Sequence, residues 1–126
     1  MQGLHLTADA SGCPADAAWM RDPSVLRRLC LGAVGEAGLS PVGELSQAFD
    51  TGSPQGGGGI TGVVLLAESH LAVHTWPELA AVTLDVYVCN FGADNSAKAE
   101  ALMQALLRHF EPVTVDRQQL HRGRPS

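Results

Sequence analysis

Residues 67–78 read Ala67-Glu68-Ser69-His70-Leu71-Ala72-Val73-His74-Thr75-Trp76-Pro77-Glu78, an apolar frame interrupted by carboxylates, hydroxyls and two imidazoles. Such groups are costly to bury without partners. Residues 70–76 alternate, so that His70, Ala72, His74 and Trp76 share one face of a strand while Leu71, Val73 and Thr75 share the other. The preceding run, Ile60-Thr61-Gly62-Val63-Val64-Leu65-Leu66, is β-branched and apolar and follows four consecutive glycines, which predicts a core strand over 60–68. Downstream, Thr83-Leu84-Asp85-Val86-Tyr87-Val88-Cys89 alternates again and predicts a strand over 82–89 with Asp85 and Cys89 on one face. If these strands are neighbours, Ser69, His74, Asp85 and Cys89 converge on one pocket that holds a hydroxyl, a base and a thiol together.

Outward from this centre, residues 3–9 alternate as a first strand, and residues 10–22 read as a loop with a helical turn over 16–20. Asp22 caps a helix that Pro23 and Ser24 open, with Leu26, Leu29, Cys30, Ala33, Val34 and Ala37 as its inner stripe and Gly38 as its stop. A weaker strand over 39–49 is interrupted by Pro41 and Gly43. The glycine-rich stretch 50–59 precedes a strand rather than opening a helix, so it reads as a hairpin connection and not as a phosphate cradle. Asp94, Asn95 and Ser96 supply the cap of a helix over 97–110, whose inner stripe is Ala101, Leu102, Ala105, Leu106 and His109. Pro112 ends it, residues 113–116 form a short last strand, and the basic stretch 117–124 is a solvated end. The order βαβββαβ predicts one α+β domain over residues 1–126, a two-layer α/β sandwich with helices on one face of a mainly antiparallel sheet.

Composition narrows the function. With 45% hydrophobic and 17% charged residues and a net charge of -5, the chain is ordinary for a soluble protein and is a poor match for nucleic acid. No stretch reads as a secretory signal or reaches the length of a membrane span, which points to the cytoplasm. Three cysteines without paired spacing argue against a disulfide framework.

The string from Gly62 to Glu78, with Glu68-Ser69-His70, His74-Thr75-Trp76-Pro77-Glu78, then Asp85 and Cys89-Asn90, closely resembles the S-adenosylmethionine decarboxylase family in its short bacterial and archaeal, pyruvoyl-dependent form. Weaker counterparts extend over most of the chain, at Gly3-Leu4-His5-Leu6, Gly12-Cys13, Ala37-Gly38 and Gly43-Glu44. The resemblance implies a self-processing proenzyme. Ser69 attacks the Glu68 carbonyl, the resulting ester eliminates, and the chain divides into a β chain, 1–68, and an α chain, 69–126, that begins with a pyruvoyl group made from Ser69. That group would form a Schiff base with the substrate amine and accept the electrons released with carbon dioxide. Roles follow residue by residue. His74 is the base in processing, a fitting task for a side chain with an ordinary pKa near 6.5. Thr61 is the processing hydroxyl, and Cys89 is the proton donor in catalysis, a thiol being mostly protonated at neutral pH. Glu78 accepts the ribose hydroxyls and Phe49 stacks on adenine. Trp76 is either pocket wall or core. The expected partner is a second copy, giving a homodimer of cleaved protomers with pockets at or near the interface, and the product feeds spermidine synthesis.

Bland readings stand beside these. Phe49 and Cys89 also suit core packing, and Glu78 suits a solvated strand end. Ser46-Gln47 and Ala10-Ser11 depart from the family's more aromatic pattern, so a pyruvoyl-dependent arginine or ornithine decarboxylase on the same scaffold is the first alternative. An unprocessed, non-enzymatic paralogue is the second. His70, His74, Asp85 and Cys89 are all acceptable metal ligands, but no compact Cys/His spacing supports a zinc site, so no metal is expected.

Overall fold

A computed structural model describes residues 1–49 and 58–123. The expected connection over 50–59 therefore falls mostly outside the described residues. The elements are β1 (Gln2–Ser11), α1 (Ala18–Arg21), α2 (Pro23–Glu36), β2 (Pro41–Ala48), β3 (Ile60–Leu66), β4 (Ser69–Trp76), β5 (Ala81–Cys89), α3 (Ser96–Phe110) and β6 (Thr114–Gly123), with a single 3-10 turn over Pro77–Leu79. All six strands join one sheet in the order β2-β3-β4-β5-β1-β6, and every neighbouring pair is antiparallel. The expected two-layer α+β sandwich is the fold that forms, although the order βαβββαβ is one strand short: β2, β3, β4 and β5 all lie between α2 and α3.

Strand alternation decides which face is covered. Leu4, Leu6, Ala8, Ile60, Val64, Leu71, Val73, Val82, Leu84 and Val86 point toward the helices and are buried. Their neighbours on the other face, including His5, Thr61, Val63, His70, His74, Asp85 and Tyr87, are half-buried beneath no helix. On the helical side, α2 and α3 pack on each other and on the sheet, and Trp19 of α1 leans on Phe110 of α3 with ring centroids 4.6 Å apart. Each large apolar side chain buried this way contributes about 1.5–3 kcal/mol. Cys30 lies in this layer, and burial pushes its thiol up to about 12, which suits a core residue.

Local chemistry explains the helix ends. Asp22 accepts the Ser24 N–H at 2.9 Å at the start of α2. At the other end, Gly38 adopts φ +81 while Leu39 and Gly38 donate to the Val34 and Gly35 carbonyls, a Schellman closure that needs a left-handed residue.

Three sequence expectations need correction. The last strand runs the full ten residues Thr114–Gly123 rather than stopping at 116, because β1 has a free edge that pairs with it from Gln2 to Ser11. Every residue of β6 is exposed, so it carries no apolar signal. Its Arg117 forms a two-pronged ion pair with Glu100 of α3, both contacts 2.8 Å, and that hydrogen bonding holds the Glu100 carboxyl below its usual range. The inner stripe of α3 is Ala99, Leu102, Met103, Ala105, Leu106 and Phe110; Ala101 and His109 are exposed, because Phe110 and Met103 turn the helix toward their own larger volumes. Finally, β3 ends at Leu66 and β4 starts at Ser69, leaving Ala67 and Glu68 as a two-residue turn.

Candidate active site

Register along the β3–β4 hairpin divides the expected site residues into two groups. At one end Thr61 faces His74 across the strands, and Thr61 Oγ1 lies 3.0 Å from His74 Nδ1. The turn and Ser69 lie at the other end. Five positions separate Ser69 from His74, about 17 Å at roughly 3.4 Å per residue. Because the separation is odd, the two side chains leave opposite faces of β4.

Around Thr61 and His74 is a hollow of about 350 Å³ lined by Phe49, Thr61, His74, Trp76 and Glu78 together with the backbone of Gly59 and Ile60. Phe49 is 52% exposed and Trp76 41%, so both serve as walls rather than core. The Trp76 ring lies 6.4 Å from the His74 ring, and its indole N–H donates to Thr83 Oγ1 at 3.4 Å. The floor is built by a buried threonine. Thr75 Oγ1 accepts the Ile60 N–H at 2.9 Å and donates to the Met20 carbonyl at 2.7 Å. A Cβ on Gly59 would collide with the Thr75 carbonyl, so only glycine fits where β3 enters the hollow.

At the opposite end Glu68 adopts φ 54, a left-handed conformation that costs a non-glycine residue about 1–2 kcal/mol. Ala67 keeps a negative φ, so this is not the doubly left-handed turn that suits a two-residue hairpin best. Strain thus sits on the residue whose carbonyl Ser69 would attack. Ser69 Oγ accepts the Cys89 backbone N–H at 3.0 Å, which brings the serine and cysteine together. A wide hollow of about 610 Å³ opens here, lined by Glu68, Ser69, His70, Leu65, Tyr87 and Arg122. His70 and Tyr87 stack with centroids 5.7 Å apart, and Arg122 lies over the Tyr87 ring at 5.5 Å.

The expected convergence of Ser69, His74, Asp85 and Cys89 in one pocket does not occur within a chain. Ser69 meets Cys89, His74 meets Thr61, and Asp85 meets His5 at 3.1 Å. The reason is strand geometry: pairing aligns His74 with Thr83 and Asp85 with Ala72, so an extended chain keeps the ends apart. Among the described residues no three His, Cys, Asp or Glu side chains cluster closely enough to hold a metal ion. Tyr87 and Arg122 were given no role at the site by the sequence reading, Asn90 entered only beside Cys89 in the resembling string, and Asn95 only as part of a helix cap.

Comparison with known proteins finds relatives over nearly the whole chain. Residues 4–123 match the family model described as S-adenosylmethionine decarboxylase. The chain is 38% identical over 121 residues to an S-adenosylmethionine decarboxylase proenzyme of Aquifex aeolicus, covering 96% of this chain and 81% of that protein. A proenzyme of the same name from Archaeoglobus fulgidus is 32% identical over 121 residues, covering 96% and 97% of the two chains. The fold superimposes on the crystal structure of the adenosylmethionine decarboxylase from Aquifex aeolicus with a TM-score of 0.83 at 36% identity, over 98% of this chain and 92% of that one. By sequence and by fold together, the chain belongs to the S-adenosylmethionine decarboxylase family.

Proposed function

We propose that this protein is a self-processing, pyruvoyl-dependent S-adenosylmethionine decarboxylase. The observation that carries the reading is the Glu68–Ser69 peptide. It joins a left-handed Glu68 to a serine whose hydroxyl is already held by the Cys89 N–H. Residue strain of this kind collects at functional sites. In processing, Ser69 Oγ adds to the Glu68 carbonyl carbon and the C–N bond breaks, giving an ester. A base then removes the Ser69 α-proton, the Cβ–Oγ bond breaks, and Glu68 keeps both oxygens as a carboxylate. Hydrolysis of the remaining dehydroalanine releases ammonia and leaves the pyruvoyl group at residue 69. When present, that group supplies an electron sink for decarboxylation of an α-amino acid.

His74 and Thr61 fit the base and hydroxyl roles through one tautomer. With the proton on Nδ1, His74 donates to Thr61 Oγ1, which leaves Nε2 free to accept the α-proton and frees the Thr61 O–H to donate to the ester oxygen. Since these residues are far from their own Ser69, they act on the Ser69 of a second copy, and the active form is a homodimer of cleaved protomers. The uncovered sheet face supports this, with Leu45 77% exposed and Leu65 49% exposed beside the half-buried Val63. The 350 Å³ hollow then takes the nucleoside, a size in the usual range of small-molecule sites, roughly 300–1,000 Å³. Phe49 and Trp76 give aromatic faces that suit adenine and attract a sulfonium cation, and Glu78 accepts ribose hydroxyls. Cys89 returns a proton to the α-carbon. The two proenzymes described above are named for S-adenosylmethionine and the solved structure for adenosylmethionine, which favours it over arginine or ornithine. The product would serve as aminopropyl donor for spermidine. No helix among the described residues is long and apolar enough to cross a membrane, and three free cysteines suit the cytoplasm.

The test is the denatured intact mass, followed by carbon dioxide release from carboxyl-labelled S-adenosylmethionine, arginine and ornithine. Two fragments divided between Glu68 and Ser69, with release from S-adenosylmethionine alone, are expected. Ser69→Ala should give a folded, uncut and inactive chain. A cut Ser69→Ala chain would sink the assignment of the scissile serine.

A further inference from the structure

The corner between β5 and α3 carries more hydrogen bonding than a helix start requires. Asn95 occupies the N-cap of α3, where asparagine ordinarily accepts an N–H of the first turn. Its side chain makes no such bond. That task falls to Asp94, whose carboxylate accepts the Ser96 N–H at 2.9 Å. The Asn95 amide instead donates to the Cys89 carbonyl at 2.9 Å. Asn90 holds Asn95 in turn: its Oδ1 accepts the Asn95 N–H at 2.8 Å and its Nδ2 donates to Ser96 Oγ at 3.1 Å.

The other end of this chain of bonds is Ser69. The β4–β5 ladder pairs His70 with Tyr87, so Cys89 lies beyond its end and its N–H has no strand carbonyl to meet on that side. It donates to Ser69 Oγ, while the next N–H, of Asn90, returns to β1 through the Gln2 carbonyl at 2.8 Å. Cys89 is therefore the last strand-like residue before an exposed loop in which Phe91 is 65% exposed. β1 pairs Gly3 with Cys89 on one side, but the Cys89 N–H and C=O face the other side, where side chains and no strand backbone meet them.

We propose that Asn95, braced by Asn90, is a positioning residue that fixes the Cys89 peptide through its carbonyl, so that the Cys89 N–H stays on Ser69 Oγ. The inference rests on the proposed processing of Ser69. In the elimination, the electron pair of the Cα–H bond becomes the Cα=Cβ bond, and the pair of the Cβ–Oγ bond leaves on Oγ as part of the Glu68 carboxylate. The Cys89 N–H already faces the oxygen on which that charge develops. Such preplaced donors act without reorganisation.

Asn95→Asp separates this role from helix capping. Aspartate caps a helix as well as asparagine and suits its positive end, but it cannot donate to the Cys89 carbonyl. The experiment follows self-cleavage of freshly purified chains by intact mass, with melting temperature, and then kcat and KM of the cut fraction with S-adenosylmethionine. Asn95→Asp is expected to melt near the wild type yet cleave on the order of 10-fold more slowly, since small misplacements of reacting groups are costly. Its cut fraction should show a lower kcat at unchanged KM, because neither Asn95 nor Asn90 lines the proposed nucleoside hollow. Asp94→Ala, which weakens the helix start alone, should melt lower and still cleave near the wild-type rate. Wild-type cleavage by Asn95→Asp, or equal slowing by Asp94→Ala, would overturn the role. A wild-type chain that never cuts would instead overturn the reading of Ser69 itself, and the inference with it.

Discussion

His74 and Thr61 sit on a sheet face that packing alone would fill with aliphatic side chains, and their hydrogen bond leaves one ring nitrogen for chemistry. Neither is deeply buried, so their removal should disturb the fold little, within about 1 kcal/mol for a substitution away from the core. His74→Ala is expected to fold and to accumulate the ester, because addition of Ser69 Oγ does not need the base that removes the α-proton. Hydroxylamine should then split the chain between residues 68 and 69, read by mass. A His74→Ala chain that resists hydroxylamine while remaining uncut would place His74 before ester formation.

At the scale of an element, the β3–β4 hairpin holds the two groups of candidate residues at its two ends, and different devices shape each end. The turn end stores left-handed strain at Glu68. The open end is closed by Gly59 against the Thr75 carbonyl and by the Thr75 hydroxyl between Ile60 and Met20. Gly59→Ala should push β3 away from β4 and destabilise the protein by about 1–3 kcal/mol, the usual cost of overpacking. Since the damage falls on the hollow that holds the Thr61–His74 pair as well as the proposed nucleoside site, KM for S-adenosylmethionine should rise and cleavage at Ser69 should slow together. Wild-type KM and wild-type cleavage would show that Gly59 does not shape this hollow.

For the whole molecule, a sheet covered by helices on one face alone leaves Thr61, His74, His70 and Tyr87 on the other. In the proposed dimer the Thr61–His74 end of one protomer meets the Ser69–Cys89 end of its partner. Co-expression of Ser69→Ala with His74→Ala tests this. In a mixed dimer one site combines an intact Ser69 from the His74→Ala chain with an intact His74 from the Ser69→Ala chain, so the His74→Ala chain should be cut in the mixture and not alone. If the sites were built within single chains, the mixture would contain no intact site and neither chain would be cut.

The strands from 60 to 89 were legible because their alternation is a local property: each residue's face follows from its neighbours. Thr61, His74, Trp76 and Glu78 were each singled out from the sequence, but that they line one hollow follows from the pairing of β3 with β4. The inner stripe of α3 was read slightly rotated, because Met103 and Phe110 weigh by volume as well as by spacing. The last strand was invisible for a different reason. All its residues are exposed, and it is held by backbone pairing to β1 and by Arg117 on Glu100, interactions that leave no periodic trace. The grouping of the site residues likewise depended on folding. Motif spacing names Ser69, His74 and Cys89 in order, but strand register joins Ser69 to Cys89 and sets His74 apart, since an extended chain separates residues with every step and an odd step reverses the face.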